Sequence, residues 1–265
     1  MQQLNQSLLD IVYQAGRHLA EFYTKSVEIT IKPDNSPVTE ADLFLSKFLI
    51  EELSKLTPNI PILSEENCQY PLSEREKWNE YWMVDPLDGT QQFIDRTDHF
   101  SIMIALVRHN KPVLGIIHAP ILDKTYYAME NQGAFLIEKG EAHRLEKNCK
   151  KLERSDRLII AVGSGKHTKI KNSIQHPFEF LRCGSSSLKA GLVAEGKADC
   201  YISFGKTGEW DTAAAEVILS EVGGEIYNLN FEPLTYNQRE TLINPPFLMV
   251  GNKKINWQKM YQFNS

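Results

Sequence analysis

Apolar residues in the first part of the chain recur at helical spacing in two places. The first run covers residues 4–22 and the second covers residues 41–56, and each predicts an amphipathic helix. Between them, residues 32–37 contain two prolines, an aspartate, an asparagine and a serine, which together predict a turn. Short apolar runs at residues 60–63 and 82–84 each predict a strand that leads into acidic residues.

Between residues 100 and 136 the pattern changes to short runs of β-branched and aromatic residues separated by turn residues. This pattern predicts an antiparallel meander. Residues 139–156 are highly charged and carry little apolar pattern, so they predict the boundary between two lobes. We therefore expect an N-terminal lobe over residues 1–145 and a C-terminal lobe over residues 146–265.

Predicted strands and helices alternate in the second lobe. The predicted strands cover residues 157–162, 178–182, 200–204, 224–227 and 247–250. The predicted helices cover residues 166–174, 187–195, 211–222 and 253–263. Such alternation is typical of α/β folds. The predicted fold class of the whole chain is therefore α/β (α+β), with an antiparallel first lobe and an alternating second lobe.

The composition limits the classes of protein to which the chain can belong. No apolar run reaches the roughly 18 residues that a membrane span needs. The N-terminal stretch MQQLNQSLLDIVYQAG lacks the pattern of a signal peptide, so we expect a cytoplasmic protein. A formal net charge of −5 and the absence of a basic stripe argue against nucleic-acid binding. The four cysteines contain no Cys-x-x-Cys pair for zinc or redox work, so we expect free thiols.

The segment WMVDPLDGT at residues 82–90 is a candidate for chemistry. An apolar strand delivers Asp85 at its end, and Asp88 returns three residues later. Two hard oxygen ligands this close suit Mg²⁺, and Gly89 and Thr90 could begin a helical turn whose N–H groups suit a phosphate. The simpler interpretation is a turn in which one aspartate caps the next helix.

Three other segments place acidic residues at the ends of predicted elements. Glu65 and Glu66 follow a short strand, where a solvated loop is the simple alternative. Thr39 and Asp42 open the second helix and match a capping box. Asp211 opens a helix of small residues, where an N-cap is the simple alternative.

Taken together, these segments resemble the inositol monophosphatase superfamily of Mg²⁺-dependent, lithium-sensitive phosphatases, and within it the bacterial 3'(2'),5'-bisphosphate nucleotidases of the CysQ type. The matching blocks are residues 34–42, 61–66, 81–90, 192–196 and 210–214. The resemblance implies a layered α-β-α-β-α sugar-phosphatase fold with one sheet from each lobe and the site between them.

The resemblance also implies roles for individual residues. The implied metal ligands, for two or more Mg²⁺ ions, are Glu65, Asp85, the Leu87 carbonyl, Asp88 and Asp211. The implied catalytic residues are Asp42, Thr90 and Glu65, and of these Thr90 and Asp42 would orient and deprotonate a metal-activated water. The implied substrate-binding residues are Glu65, Leu87, Asp88, Gly89, Thr90, Ser186, Ser187, Lys189 and Asp211. For Lys189, a solvated helix lysine is the alternative.

The implied substrate is adenosine 3',5'-bisphosphate, cleaved to AMP and phosphate, with inhibition by Li⁺. Two departures from the CysQ pattern bear on nucleotide selectivity: an additional serine within residues 185–187, and Gln91-Gln92 where these enzymes usually carry Lys-Glu. An inositol monophosphatase or broad sugar-phosphate phosphatase is the alternative enzyme, and a non-catalytic protein that binds nucleotide or metal is the remote alternative. We expect a small-molecule substrate and no integral membrane segment. Peripheral attachment to the inner face of the bacterial inner membrane stays open, as do a monomer and a homodimer.

Overall fold

The computed structural model describes residues 2–149, 153 and 155–263, and it contains helices in both halves of the chain. The helices are α1 (Gln2–Tyr23), α2 (Glu40–Leu56), α3 (Leu72–Arg75), α4 (Thr90–Ile94), α5 (Thr168–Ser173), α6 (Ser186–Ala194) and α7 (Trp210–Glu221), followed by a 3₁₀ turn at Trp257–Lys259. None of these helices is long and apolar enough to cross a membrane.

The strands fall into one hairpin and two sheets. They are β1 (Ile29–Ile31), β2 (Pro37–Thr39), β3 (Ile62–Ser64), β4 (Glu80–Asp88), β5 (Ser101–Arg108), β6 (Lys111–Ala119), β7 (Lys124–Met129), β8 (Gly133–Glu138), β9 (Glu141–Arg144), β10 (Leu158–Val162), β11 (Phe178–Arg182), β12 (Cys200–Ser203), β13 (Glu225–Asn228) and β14 (Phe247–Val250). β1 and β2 pair with each other as a short antiparallel hairpin.

The first sheet has seven strands in the order β3-β4-β5-β6-β7-β8-β9. β3 and β4 are parallel, and every later pair is antiparallel, so the predicted meander is confirmed. The second sheet has the order β11-β10-β12-β14-β13. Its β10 is parallel to both neighbours, whereas β14 is antiparallel to both of its own.

Three helical layers enclose the two sheets. Apolar residues of α1 and α2 share a core with one face of the first sheet. α7, with α6 beside it, packs between the two sheets. α5 and the C-terminal residues Trp257 and Tyr261 cover the far face of the second sheet. The expected layered α-β-α-β-α fold is therefore confirmed.

A close contact holds the middle layer against the first sheet. A Cβ atom at Gly115 of β6 would lie 2.4 Å from the carbonyl oxygen of Ala214 in α7. Because only glycine leaves room for this approach, the small-residue helix can seat its N-terminal turn near the end of β4.

Two predictions of local structure need correction. The helix expected at residues 253–263 is wrong: the chain forms the 3₁₀ turn, and Tyr261 makes a β-bridge to Ile174. The indole of Trp257 donates to the Asn252 carbonyl at 2.9 Å, so tertiary contacts outweigh the apolar spacing. The helix expected at residues 166–174 is shorter, since His167 adopts a left-handed backbone and α5 begins only after it.

The charged segment at residues 139–156 is partly ordered as a strand. β9 adds an exposed edge strand to the first sheet, and the change from the first sheet to the second falls between β9 and β10. The proposed division into residues 1–145 and 146–265 stays a prediction. Lys150, Lys151 and Arg154 of this charged segment lie outside the described residues. All four cysteines are free thiols, as expected.

Candidate active site

The end of β4 carries two of the predicted site residues. Its pairing with β5 shifts register between Asp85 and Asp88, where Pro86 cannot donate a ladder hydrogen bond. Such a bulge re-aims side chains, and both carboxylates line the same cavity. Gly89 caps α4 with a φ of +92°, so neither aspartate is the cap of that helix.

Asp211 completes a cluster of three carboxylates. Asp85, Asp88 and Asp211 each offer one oxygen, and these oxygens lie within 4.8 Å of one another. Asp211 lies inside the first turn of α7, whose N-cap is Glu209, and its carboxylate accepts a hydrogen bond from the Gly208 N–H. The simple capping interpretation of Asp211 is therefore wrong.

The cluster holds more negative charge than its surroundings neutralise. Asp85 is buried, its Oδ1 accepts from the Leu87 N–H at 3.0 Å, and its Oδ2 is buried with no hydrogen-bond partner among the described residues. Burial, together with the charges of Glu65, Asp211 and Asp88, raises the pKa of Asp85 well above its usual range. Loss of hydration and the charges of Asp88 and Glu65 raise the pKa of Asp211 in the same way.

This arrangement fits a hard divalent cation. The donor set consists of carboxylate oxygens, which Mg²⁺ prefers, and the unpartnered Asp85 oxygen would gain a ligand. Buried charges in proteins are usually paired with an opposite charge or coordinate a metal ion. A cation bound here would therefore remove the repulsion that raises these pKa values.

Glu65 faces the same cavity from the end of β3. Its N–H donates to the Val84 carbonyl at 3.0 Å, which fixes the residue beside β4. The Lys32 Nζ lies 2.9 Å from Glu65 Oε1 and 2.5 Å from Glu66 Oε1. Burial raises the pKa of Glu65 against the opposing effect of the Lys32 charge. The solvated-loop interpretation of the two glutamates is wrong, because both are held by one lysine of the β1–β2 turn.

Thr90 and Asp42 are joined by a hydrogen bond. The Thr90 hydroxyl lies 3.0 Å from Asp42 Oδ1 and 3.2 Å from the Leu87 carbonyl oxygen. The other Asp42 oxygen accepts from the N–H and the hydroxyl of Thr39, so the predicted capping box is confirmed. Burial raises the pKa of Asp42. One carboxylate thus both caps α2 and reaches the hydroxyl at the start of α4.

A cavity of about 400 Å³ lies at this site, and two separate parts of the chain, residues 34–90 and residues 206–243, supply its lining. Its lining comprises Asp34, Asn35, Ser36, Glu65, Asp85, Leu87, Asp88, Gly89, Thr90, Lys206, Thr207, Gly208, Trp210, Asp211 and Ile243. No larger residue fits at position 89 unless its neighbours move. A Cβ atom on Gly89 would lie 2.9 Å from the Cβ atom of Ser185 and 3.0 Å from the His99 carbonyl oxygen.

The predicted nucleotide-side residues lie behind this lining. The Ser187 N–H and hydroxyl both donate to Asp88 Oδ2, and the Ser186 hydroxyl lies 3.4 Å from the Tyr201 hydroxyl. Lys189 is 6% exposed, with its Nζ 2.7 Å from the Gly184 carbonyl oxygen and 4.7 Å from the centre of the Tyr201 ring. The solvated alternative for Lys189 is therefore wrong, and its role as a substrate contact stays a prediction.

The two glutamines after Thr90 point in different directions. Gln91 donates to Asp95 at 2.9 Å on the exposed side of α4. Gln92 packs against two glycines. A Cβ atom at Gly89 would lie 3.2 Å from Gln92 Oε1, and one at Gly184 would lie 2.9 Å from Gln92 Cγ. Of the two glutamines, Gln92 is therefore the one that lies against the loop that precedes α6.

Sequence reasoning missed the residues on the rim of the cavity. Asp34 belongs to the predicted turn and to the first matching block without a role of its own, and Lys206 belongs to no motif. The structure places the Lys206 Nζ 2.8 Å from Asp34 Oδ2, although the two residues are 172 positions apart. No local pattern could have revealed this pairing.

The fold and the carboxylate cluster define a class of phosphatases, and the sequence comparison identifies it. A profile of the Inositol monophosphatase family matches residues 1–260, and the chain belongs to this family.

Three of the similar proteins carry the name CysQ. The chain is 57% identical over 264 residues to the 3'(2'),5'-bisphosphate nucleotidase CysQ of Haemophilus influenzae, with 98% of this chain and 97% of that one covered. It is 37% identical over 247 residues to the protein of the same name from Escherichia coli K12, with 91% and 98% covered. The crystal structure of CysQ from Bacteroides thetaiotaomicron has a TM-score of 0.74 at 32% identity, covering 94% of this chain and 97% of that one.

Proposed function

We propose that the protein hydrolyses the 3'-phosphate of adenosine 3',5'-bisphosphate to AMP and phosphate with Mg²⁺. The observation that carries the proposal is the cluster of Asp85, Asp88 and Asp211 at the floor of an open cavity. Similarity over almost the full length to a CysQ nucleotidase supports the choice of substrate.

Two Mg²⁺ ions would be held by Glu65, Asp85, the Leu87 carbonyl, Asp88 and Asp211. When bound, the ions would neutralise phosphate charge and lower the pKa of the attacking water. The unpartnered Asp85 oxygen and the short separation of the three aspartates support this assignment. Ser187 holds one oxygen of Asp88, which leaves the carboxylate in a fixed orientation.

Thr90 and Asp42 would handle the proton of the attacking water. The Thr90 hydroxyl donates to Asp42 Oδ1, so its own lone pair is left to accept a proton from water. As that proton moves to Thr90 Oγ1, the hydroxyl proton of Thr90 can pass to Asp42. Burial raises the pKa of Asp42, which makes the carboxylate a stronger base than one in water. No covalent intermediate is needed.

A substrate panel tests the proposal. Steady-state rates on adenosine 3',5'-bisphosphate and on inositol 1-phosphate would be measured with Mg²⁺, without it, and with millimolar Li⁺. We expect Mg²⁺-dependent, Li⁺-inhibited turnover with kcat/KM higher for the nucleotide. A ratio that favours the inositol ester would replace the substrate assignment with the sugar-phosphate alternative. An absence of turnover on both compounds would leave the non-catalytic alternative.

Cellular location and oligomeric state stay predictions. The cytoplasmic assignment rests on the N-terminal sequence alone, and a monomer and a homodimer are separable by light scattering of the purified protein.

A further inference from the structure

The cavity must hold two phosphates if the substrate is a bisphosphate, and its floor serves only one of them. The carboxylates of that floor suit metal ions, which would bind the reacting phosphate. A second phosphate would enter a cavity whose charged side chains are mostly acidic, and it would need a cation of its own. Among the described residues that line the cavity, the cationic side chain is Lys206.

Lys206 lies on the loop between β12 and α7, at the rim opposite the β1–β2 turn. Its side chain is 56% exposed and its Nζ is 2.8 Å from Asp34 Oδ2, while Asp34 is itself 41% exposed. An exposed ion pair of this kind contributes only about 0–1 kcal/mol, so an incoming dianion can replace Asp34 at low cost. The flexible stem of a lysine allows this exchange without movement of the backbone.

The two other lysines near the site are already engaged. The Nζ of Lys32 lies between Glu65 and Glu66, and that of Lys189 is buried against the Gly184 carbonyl. Neither lysine is among the residues that line the cavity, so its Nζ would have to leave its present partners to reach a phosphate there. Leaving two half-buried carboxylates, or the partly buried Gly184 carbonyl, costs more than the release of a rim ion pair.

We propose that Lys206 binds the distal phosphate of a nucleoside 3',5'-bisphosphate, and that Asp34 occupies Lys206 until the substrate arrives. This inference rests on the proposed function, since it assigns a residue to the part of the substrate that does not react. Lys206 thereby sets the preference for a bisphosphate over a monophosphate. Asp34 acts as a competitor whose removal makes Lys206 more available.

The test compares adenosine 3',5'-bisphosphate with adenosine 3'-monophosphate, which carries the same reacting phosphate and lacks the distal one. We expect Lys206→Gln to raise KM for the bisphosphate about tenfold, the effect of losing roughly 1.4 kcal/mol of binding. Its kcat should change little, and kcat/KM for the monophosphate should stay within twofold. Asp34→Asn should raise kcat/KM for the bisphosphate two- to threefold, and only while Lys206 is present.

Lys253→Gln is the matched control, because Lys253 is similarly exposed and pairs with Glu225 away from this cavity. Lys189→Gln tests the competing assignment. The inference is overturned if the ratio of the two substrates' kcat/KM falls with Lys189→Gln and not with Lys206→Gln, or if Lys206→Gln leaves that ratio unchanged.

A binding measurement separates this inference from the proposed function. Calorimetry with Ca²⁺ in place of Mg²⁺ gives the affinities of both nucleotides without turnover. Loss of the affinity difference in Lys206→Gln supports the inference, and an unchanged difference overturns it, whatever the turnover assay shows. Absence of turnover by the native protein on both nucleotides would refute the proposed function alone.

Discussion

Two acidic groups lie close together at the start of α7, a cluster of three aspartates and the single residue Glu209, and they differ in how their charge is satisfied. Asp85, Asp88 and Asp211 bring three carboxylates together, and one buried oxygen has no partner among the described residues. Glu209, two positions before Asp211, is fully buried as well, but it accepts from the Arg239 guanidinium at 3.0 Å and from the Asn237 N–H at 2.8 Å.

Arg75 completes the hydrogen-bond network around Glu209. This buried guanidinium donates to Asn237, and Asn237 in turn donates to the Arg75 carbonyl. The contrast teaches that burial of an acid does not by itself indicate chemistry. An acid whose oxygens are all satisfied by protein donors holds the fold together, whereas a cluster of acids without a counter-charge indicates a ligand that the chain does not supply.

Removing one carboxylate from the unsatisfied cluster should have the largest effect on activity. We expect Asp85→Asn or Asp211→Asn to lower kcat by about 1,000-fold or more, the scale of losing a group that stabilises the transition state. Because the substitution also removes repulsion, the metal-free protein should unfold at the same or a higher temperature. Steady-state kinetics at saturating Mg²⁺ and circular dichroism measure the two effects.

The control for this experiment is Asp123→Asn, which alters an exposed aspartate that accepts from the Lys139 N–H. It should keep native kinetics. Full activity of Asp85→Asn at saturating Mg²⁺ would refute the assignment of Asp85 as a metal ligand.

Breaking the satisfied group should affect stability most. Arg75 donates to the carbonyls of Tyr70, Arg239 and Glu240 and to the Asn237 side chain, at 2.6 to 3.2 Å. We expect Arg75→Met to lower the free energy of unfolding by about 3–5 kcal/mol, because it removes the cation from a buried network. Urea denaturation measures the loss.

Arg108→Met is the matched control, since Arg108 is half exposed and pairs with Glu80. Its expected cost is about 0–1 kcal/mol. Equal losses in the two variants would contradict the view that the Arg75 network is structural.

Mg²⁺ should stabilise the protein through the unsatisfied cluster, and more strongly at higher pH. The raised pKa values of Asp85 and Asp211 mean that, without metal, the folded state binds protons more tightly than the unfolded state. Their contribution to stability is therefore present at low pH and is lost as pH rises from about 4 through the raised values. Because Mg²⁺ competes with these protons for the carboxylates, it should stabilise the folded state most at a pH where Asp85 and Asp211 are deprotonated.

At 100 times its dissociation constant, Mg²⁺ should add about 2.7 kcal/mol. Thermal unfolding at pH 5 and at pH 8, with and without Mg²⁺, gives the size and the sign of the effect. Asp85→Asn should lose most of the increment. The same Mg²⁺ stabilisation in native protein and in Asp85→Asn would show that the ion binds elsewhere.

The sequence predicted those parts of the fold that depend on local periodicity. The meander shows as short runs of β-branched and aromatic residues between turn residues, and the long N-terminal helices show as apolar residues at 3.6-residue spacing. The helix predicted at residues 253–263 was wrong because the apolar side chains of Trp257 and Tyr261 cover the second sheet and do not form one face of a helix. The β1–β2 hairpin escaped prediction because its strands have three residues each and Ile29 and Ile31 are exposed.

The candidate site was predictable where a motif occupies one segment and not where it joins distant segments. Asp85 and Asp88 share one segment, where two hard oxygen ligands indicated a metal, whereas the role of Asp211 came only from the family resemblance. The burial of Lys189 depends on Tyr201 in a neighbouring strand. The pairing of Lys206 with Asp34 joins residues that are 172 positions apart. Neither contact leaves a local pattern.

A hydroxyl that supports the cluster should have the smallest effect and the most specific one. Ser187 accepts from the Ser101 hydroxyl at 2.8 Å and donates from its own hydroxyl to Asp88 Oδ2. Ser187→Ala removes this donor but keeps the backbone N–H bond to the same oxygen, at 2.8 Å. We expect about tenfold weaker Mg²⁺ binding, the lower end of what supporting residues contribute.

The measurement for Ser187→Ala is the Mg²⁺ dependence of turnover at saturating substrate. The Mg²⁺ concentration for half-maximal rate should rise about tenfold, the lower end expected for a residue that supports a metal ligand, while kcat at saturating Mg²⁺ returns close to the native value. Ser173→Ala, which removes a buried hydroxyl bonded to the Ile170 carbonyl, is the control. If KM for the nucleotide rises and the Mg²⁺ midpoint stays fixed, Ser187 acts on the substrate and not through Asp88. Ser187 would then be a nucleotide contact, as the family resemblance implies. The comparison of the two acidic groups would have to treat Asp88 as a carboxylate that its hydrogen bonds to Ser187 do not prepare for metal binding.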